Sequence, residues 1–330
     1  MPLSKSLENK IWSINNESDF NTTALEVFYF QYENNIIYRK WVDYLAIEVD
    51  AVKDYRSIPF LPISLFKTHK VKSFLGKEDV IFSSSGTTGM NTSKHYVYKT
   101  ELYRKSYRKA FEYFYGNIKD YTVLALLPSY LEREGSSLIY MAEDLIQLSE
   151  NKESGFYLYN YDELFLILNE LKKENKKVLL LGVSFALLEF AEKYKLEFPE
   201  LVVMETGGMK GKRKELLREE LHSILCNAFG VKNIHSEYGM TELLSQAYSK
   251  GNSVFNTPSW MKIIIRDTND PLSLQVNNKS GGVNIIDLSN LYSCSFIATQ
   301  DLGKINTNNS FEILGRFDNT DIRGCNLLVL

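Results

Sequence analysis

Seven consecutive residues, Ser83 to Gly89, combine five hydroxyl side chains with two glycines, a composition suited to binding phosphate. Glycines allow a tight turn that brings backbone N–H groups close to an anion, and hydroxyls add further donors. The apolar residues just before the loop are typical of the end of a strand, and Lys94 supplies a cation soon after it. The spacing differs from the Gly-x-x-x-x-Gly-Lys-Ser/Thr pattern of nucleotide P-loops. A polar surface turn or flexible linker is the alternative interpretation.

Four other polar segments carry residue types suited to nucleotide chemistry. They hold a glycine pair, a hydroxyl beside a carboxylate, a second carboxylate and an arginine: Gly207 and Gly208; Tyr238, Gly239, Thr241 and Glu242; Asp301; and Arg316. Most follow apolar runs that are typical of strands, and ligands of α/β proteins bind where the carboxyl ends of strands meet. We therefore expect these residues to converge.

Three of these segments also have a purely structural interpretation. Gly207 and Gly208 could form a tight turn or a helix C-cap. Thr241 and Glu242 could begin a helix, since both residue types are favoured in a first turn. Asp301 could lie in a plain turn.

The elements that must position these residues follow a regular alternation. Strands are predicted at 121–127, 177–183, 201–205 and 231–236, and helices at 99–115, 161–173, 185–195 and 212–229. This alternation predicts an α/β fold with parallel sheet layers and helices on both faces.

The two flanks of this region have different patterns. Residues 24–51 carry apolar and aromatic positions at helical spacing, which predicts one or two helices. After about residue 256, short strands separated by polar turns predict a small β-rich subdomain, with strands at 261–266, 282–287, 294–299 and 311–315.

Composition excludes several classes of protein. A formal charge of −3 over 330 residues gives no general attraction to nucleic acid. The sequence shows neither the apolar core of a signal peptide nor an apolar span long enough to cross a bilayer. Cys226, Cys294 and Cys325 are an odd number without metal-ligand spacing, which argues against a disulfide framework. We expect a reduced, cytoplasmic compartment.

Taken together, the motifs resemble those of the adenylate-forming superfamily, which includes acyl-CoA and aryl-CoA ligases. Residues Ser84, Ser85, Gly86, Thr87, Thr88 and Gly89 match its phosphate loop, and Tyr238-Gly239-Met240-Thr241-Glu242 matches its Tyr-Gly-x-Thr-Glu motif. Asp301 matches its ribose-binding aspartate, and Gly315-Arg316-x-Asp318 matches the arginine and hinge aspartate at the boundary with the C-terminal domain. The four motifs occur in the family's order between residues 83 and 318.

The resemblance implies ATP-dependent activation of a carboxylic acid, with ATP and Mg²⁺ as cofactors. The phosphate loop and Lys94 would hold the β- and γ-phosphates, and Thr241 the α-phosphate. Glu242 would bind Mg²⁺, Asp301 the ribose hydroxyls, and Arg316 ribose or phosphate. Adenine would lie against three residues: Gly207, Gly208 and Tyr238.

Two departures from the superfamily pattern point to one branch of it. The segment between Gly89 and Lys94 is longer than usual and lacks proline, and the mobile C-terminal domain is expected to be absent or vestigial. The segment Arg323-Gly324-Cys325 near the C-terminus resembles that of the acyl-protein synthetase (LuxE-like) family, an acid–thiol ligase type. That family implies a fatty acid substrate, acyl transfer to Cys325 as a thioester, and an acyl-accepting reductase or carrier protein as partner.

We therefore predict four segments: a helical N-terminal cap at 1–75, an α/β core for ATP and the acyl group at 76–255, a β-rich subdomain of the same core at 256–316, and a tail with Cys325 at 317–330. Two other functions stay open. One is a compact CoA ligase or acyl-AMP synthase that releases its product. The other is a non-catalytic nucleotide-binding protein.

Overall fold

The computed structural model describes residues 2–84, 92–127, 135–207 and 216–317. Several residues of the predicted site lie outside these ranges, and the predictions for them stay predictions: Ser85, Gly86, Thr87, Thr88, Gly89, Gly208 and Cys325.

Within the described ranges the helices form nine segments. They are α1 Pro2–Ile11, α2 Glu17–Asn34, α3 Ile36–Tyr44, α4 Leu65–Thr68, α5 Thr100–Tyr115, α6 Ser137–Ser149, α7 Tyr161–Lys173, α8 Ser184–Lys193 and α9 Arg218–Phe229. A short 3₁₀ helix, Leu288–Asn290, matters for the site. In the described part of the chain, no helix combines the length and apolar character needed to cross a membrane.

The strands are mostly short. They are β1 Leu61–Pro62, β2 Val80–Ser83, β3 Lys94–Val97, β4 Tyr121–Leu126, β5 Gly155–Phe156, β6 Lys177–Val183, β7 Val202–Thr206, β8 His235–Tyr238, β9 Ala247–Ser249, β10 Phe255–Asn256, β11 Met261–Arg266, β12 Ser280–Asp287, β13 Phe296–Ile305 and β14 Phe311–Arg316.

Most of the described strands join one mixed sheet, in the order β11-β12-β13-β14-β10-β9-β8-β7-β6-β4-β5. Neighbouring strands from β5 to β8 run parallel, as the alternation of strands and helices predicts. From β9 onward the neighbours are antiparallel. The strands predicted as a β-rich subdomain are therefore hydrogen-bonded into the same sheet as the parallel strands.

A separate two-stranded antiparallel sheet pairs β2 with β3. Ser83 lies opposite Lys94, and Phe82 lies opposite His95. Beyond the strand ends, the Ser84 N–H donates to the Ser93 carbonyl oxygen at 3.0 Å, and the Ser93 N–H donates to Ser84 Oγ at 2.9 Å. The predicted phosphate loop thus connects two paired strands and is closed at its base by two serines.

One predicted strand is displaced, and two of the alternative structural interpretations are wrong. The strand predicted at 231–236 lies at His235–Tyr238, because Gly230 ends α9 in a left-handed conformation with φ +68° and the chain needs several residues to re-enter the sheet. No helix begins at Thr241, since residues 241–246 form a loop that leads into β9. Asp301 lies inside β13 and not in a turn, with Arg316 of β14 directly opposite.

The N-terminal helices are attached to the rest of the fold by buried amides. The Gln31 side chain donates to the carbonyl oxygens of Asn290 and Leu291 at 3.1 and 2.9 Å and accepts from the Ser295 N–H. Asn35 caps α3 and donates to the Ser293 carbonyl oxygen at 2.9 Å. The turn between β12 and β13 is therefore held from the N-terminal side, and this turn supports the site.

Candidate active site

Three of the predicted residues meet at one buried carboxylate. The Tyr238 hydroxyl donates to Asp301 Oδ2 at 2.7 Å, and Arg316 Nε donates to Asp301 Oδ1 at 2.9 Å. Asp301 is buried, whereas 73% of the Arg316 side chain is exposed. The trio arises because β8 and the β13–β14 hairpin place their ends at the same edge. It presents a fixed carboxylate and a solvent-facing guanidinium, both suited to a polar ligand.

The Tyr238 ring packs against two phenylalanines. Ring centroids lie 5.9 Å from Phe255 and 5.7 Å from Phe311, both edge-on. Burial, followed by the charge and hydrogen bond of Asp301, raises the pKa of Tyr238 well above its usual range, so the phenol stays protonated and donates. The predicted adenine-stacking role of Tyr238 stays a prediction.

The Thr241–Glu242 loop is held from below by a buried histidine and asparagine. His95 Nδ1 lies 2.8 Å from the Thr241 carbonyl oxygen, and Nε2 lies 2.9 Å from Asn290 Oδ1. Asn290 Nδ2 donates to the Glu242 carbonyl oxygen at 2.8 Å. Burial lowers the pKa of His95 to about 4, although its contacts with the Thr241 carbonyl oxygen and the Asn290 side chain act to raise it. The loop backbone is thereby fixed to β3 and to the turn after β12.

Asp287 holds the rest of this loop. Its carboxylate accepts hydrogen bonds from the N–H groups of Leu244 and Ser245 at 2.8 and 2.9 Å. It also accepts from the hydroxyls of Ser245 and Ser289, each at 2.6 Å. Burial raises the pKa of Asp287, and these four donors oppose that change. An aspartate inside the core is therefore a structural support for the Thr241–Glu242 loop.

Glu242 lies where three parts of the chain meet. It is 6% exposed, and burial raises its pKa, while the Ser93 hydroxyl and the positive charges of Arg316 and Lys67 lower it. Ser93 also closes the base of the predicted phosphate loop. The carboxylate of Glu242 is thus close to that loop base and within electrostatic reach of two cations.

Lys94 leaves β3 on the opposite side from this carboxylate. Successive side chains of a strand point to opposite faces. Ser93 and His95 share the face that contacts the Thr241–Glu242 loop, whereas Lys94 is exposed between them. The fold therefore does not direct the Lys94 side chain towards Glu242.

Lys67 was not identified from the sequence as a residue near the site. It lies in α4, where the neighbouring Phe66 ring packs edge-on against His95 with centroids 6.0 Å apart. Nothing in the local sequence Leu65–Thr68 indicates that the charge of Lys67 acts on Glu242, because the two residues are far apart in the chain. His95, Asp287 and Asn290 were missed for the same reason, although the polar run 287–290 after an apolar strand is a usable signal.

The carboxyl end of β7 carries another buried acid, Glu205, close to Gly207. The Ser184 hydroxyl lies 2.9 Å from Glu205 Oε2 and 2.6 Å from the Gly207 carbonyl oxygen. Burial acts to raise the pKa of Glu205, but His222 and Arg218 on α9 outweigh it and lower the value. Gly207 has φ +68°, a left-handed conformation that favours glycine. The backbone conformation at position 207 therefore favours glycine over other residues.

Metal binding at this site would depend on a ligand as well as on the protein. Nowhere in the described ranges do three or more His, Cys, Asp or Glu side chains gather in a way that would hold a metal ion. A cation at Glu242 would need oxygen ligands from a bound phosphate to complete its coordination.

The fold is that of acyl-CoA ligases in solved structures. The chain superposes on 2-hydroxyisobutyryl-CoA ligase in complex with 2-HIB-AMP and CoA with a TM-score of 0.67 and 11% identity, covering 92% of this chain and 71% of that one. In the postadenylation state of the same ligase, with 2-HIB-AMP, the TM-score is 0.68 and the identity 12%, over 92% and 68% of the two chains.

A second structure covers less of the chain. ATP-bound MatB from Rhodopseudomonas palustris matches with a TM-score of 0.55 and 16% identity, over 73% of this chain. The matched part is 49% of MatB, so the likeness spans about half of that protein. No protein-family model and no curated protein matches the sequence.

Proposed function

We propose that this protein activates a carboxylic acid with ATP, forming an acyl-adenylate and releasing pyrophosphate. The observation that carries the proposal is the meeting of Tyr238, Asp301 and Arg316 at the sheet edge that also holds Glu242. The likeness in fold to ligases solved with ATP or 2-HIB-AMP supports it.

The nucleotide would be held by side chains that still have hydrogen-bond acceptors or donors available for a ligand. From the described residues each Asp301 oxygen accepts one hydrogen bond, which leaves a further lone pair for a ribose hydroxyl. The exposed guanidinium of Arg316 has additional N–H donors for ribose or phosphate. Ser84 and the loop that follows it would hold the β- and γ-phosphates, as the sequence predicts.

Mg²⁺ fits the acid predicted to bind it. Glu242 offers carboxylate oxygens, which this hard cation prefers, in a buried position where burial raises the pKa. The ion would supply charge neutralisation on the phosphates. Ser93, Arg316 and Lys67 oppose this rise of the Glu242 pKa and so favour the ionised form.

The reaction requires little covalent work from the chain. The carboxylate oxygen of the acid forms a bond to the α-phosphorus, and the bond from that phosphorus to pyrophosphate breaks. Thr241, fixed through its carbonyl by His95, would place its hydroxyl on the α-phosphate. The rigid backbone of this loop would keep that donor in place without reorganisation.

The fate of the acyl-adenylate divides the remaining proposals. In the acyl-protein synthetase route, the Cys325 thiolate attacks the acyl carbon, AMP leaves, and a thioester to a fatty acid is passed to a reductase or carrier protein. In the alternative route, CoA is the acceptor or the adenylate is released. CoA as the acceptor is favoured by the likeness in fold to 2-hydroxyisobutyryl-CoA ligase.

The experiment is carboxylate-dependent exchange of labelled pyrophosphate into ATP, with fatty, hydroxy, amino and aromatic acids. Exchange with at least one acid is expected. ATP binding without exchange for any acid would replace this proposal with the non-catalytic one. Labelled acyl groups retained by the wild type and lost in Cys325→Ser would support the thioester route, whereas acyl-CoA formation on adding CoA would support the alternative.

A further inference from the structure

A second polar cluster lies at the ends of β7 and β8, on the face of the sheet opposite Tyr238. The Thr206 hydroxyl donates to Glu237 Oε2, and the two residues are register partners. A Cβ atom on Gly239 would clash with Glu237 Oε1 and would lie 3.5 Å from Gln246 Cγ. Glycine at this position therefore lets the carboxyl group and the Gln246 amide approach each other. We call Thr206, Glu237 and Gln246 the acceptor cluster.

One oxygen acceptor in this cluster is buried without a donor among the described residues. Gln246 is 3% exposed, and its Oε1 has no hydrogen-bond partner within the described ranges. The Thr206 hydroxyl donates to Oε2 of Glu237, so this hydrogen bond does not use Oε1, the other oxygen of that carboxyl group. Burial and the charge of Glu205 raise the pKa of Glu237 to about 7, whereas the Thr206 hydroxyl lowers it. Buried acceptors are normally paired, so the cluster is incomplete without a donor from outside the described chain.

Aromatic side chains from α5 and α6 lie beside the cluster. Tyr103 is near enough for the charge of Glu237 to raise the pKa of its phenol, after burial as the larger cause. Tyr140 stacks on Tyr103 with ring centroids 5.9 Å apart, and its buried hydroxyl has no partner among the described residues. Tyr248 lies opposite Glu237 in the sheet. The surroundings are thus apolar walls with a few polar atoms, which is typical of small-molecule pockets.

The acceptor cluster is close to the proposed reaction centre along the chain. Gly239 precedes Thr241 by two residues, and two residues span at most about 7 Å. A group bound at the cluster is therefore a few bonds away from a carboxylate that reaches the α-phosphate near Thr241.

We propose that the acceptor cluster binds a hydrogen-bond donor, an amino or hydroxyl group, on the carboxylic acid substrate near its carboxyl end. This inference rests on the proposed function and names the class of acid: a donor-substituted acid and not a plain fatty acid. A plain acid would leave Gln246 Oε1 unpaired in a buried site. Sites built to pair with a substrate donor reject the analogue that lacks it.

The test is pyrophosphate exchange with matched acids on the wild-type protein. Butyrate and octanoate are compared with their 2-hydroxy, 3-hydroxy, 2-amino and 3-amino analogues. We expect kcat/KM to be at least roughly 10-fold higher for one donor-substituted acid than for its plain parent. The position and type of the best substituent distinguish a hydroxyl from an amine. Equal or faster exchange with the plain acids would overturn the inference while leaving the proposed function intact.

Variants locate the preference on the protein. Gln246→Leu and Glu237→Gln should both reduce the ratio of substituted to plain acid, because each alters an acceptor proposed to pair with the substituent. Tyr115→Phe is the matched control, because Tyr115 contacts His235 on the same face of β8 but further from its carboxyl end. An unchanged ratio in both cluster variants would overturn the inference. Absence of exchange with every acid, plain or substituted, would instead refute the proposed function.

Discussion

At the scale of single residues, the site is organised around two buried carboxylates with different partners. Asp301 is tied directly to Tyr238 and Arg316. Glu242 accepts a hydrogen bond from the Ser93 hydroxyl, and the charges of Arg316 and Lys67 lower its pKa. Arg316 is common to both, which couples the predicted ribose position to the predicted metal position. Substitutions at these acids should therefore affect nucleotide binding more than folding.

Asp301→Asn should weaken ATP binding. The amide keeps the shape, but its NH₂ group would face one of the two donors, Tyr238 or Arg316, and could not accept from ribose. We expect the KM for ATP in pyrophosphate exchange to rise at least about 10-fold. Glu312→Gln is the matched control, since Glu312 pairs with Lys304 at 3.2 Å on the same two strands. Equal effects of the two variants would contradict the role of Asp301.

Lys67→Ala should shift the pH dependence of exchange. The charge of Lys67 lowers the pKa of Glu242, so its removal raises that pKa further. If Mg²⁺ requires the ionised carboxylate, the acid side of the pH–rate profile moves to higher pH. Lys70→Ala is the control, because the Lys70 ammonium group lies over the Tyr96 ring. Superimposable profiles for Lys67→Ala and wild type would show that Lys67 does not act on Glu242.

At the scale of elements, the loop between β8 and β9 is shaped by tertiary contacts. His95 of β3, Asp287 at the end of β12 and Asn290 of the 3₁₀ helix hold its backbone. The loop has no regular hydrogen-bonding pattern of its own, so these side chains replace it. The turn that carries Asn290 is in turn held by Gln31 of α2.

Asp287→Asn should destabilise the fold strongly. The carboxylate accepts from two backbone N–H groups and two hydroxyls, and an amide cannot satisfy all four donors. The expected loss of unfolding free energy is about 2 to 4 kcal/mol, measured by urea denaturation. Asp270→Asn, at an exposed acid that accepts from the Leu272 N–H and Ser273 hydroxyl, should change stability by no more than about 0.5 kcal/mol. Comparable losses would mean that Asp287 is not a special support.

At the scale of the whole molecule, one mixed sheet joins the parallel and antiparallel halves. The proposed nucleotide site lies across this junction, because Tyr238 ends the last parallel strand whereas Asp301 and Arg316 belong to the antiparallel hairpin. A ligand bound here contacts both halves. Binding should therefore stabilise the fold as a unit.

MgATP should raise the unfolding temperature of the wild-type protein by a few degrees. At 100 times the dissociation constant, a ligand of the native state adds about 2.7 kcal/mol. Asp301→Asn should show a smaller shift at the same ATP concentration, and Glu312→Gln an unchanged one. Equal shifts in all three proteins would place ATP binding elsewhere.

The sequence by itself determined the order of elements and the positions of the motifs. Apolar runs and helical periodicity are local, so β4, β6, β7, α5, α7 and α8 could be predicted within a few residues. The convergence of Tyr238, Asp301 and Arg316 was also expected, because carboxyl ends of parallel strands and a hairpin partner share an edge.

Only the tertiary structure decided which side chains face each other. Lys94 points away from Glu242 because strand alternation places Ser93 and His95 on the facing side. The roles of Lys67 and Asp287, and the approach of Glu237 and Gln246 to Gly239, depend on contacts between distant segments. Local periodicity carries no information on such contacts, since they are fixed by the register and packing of strands far apart in the chain.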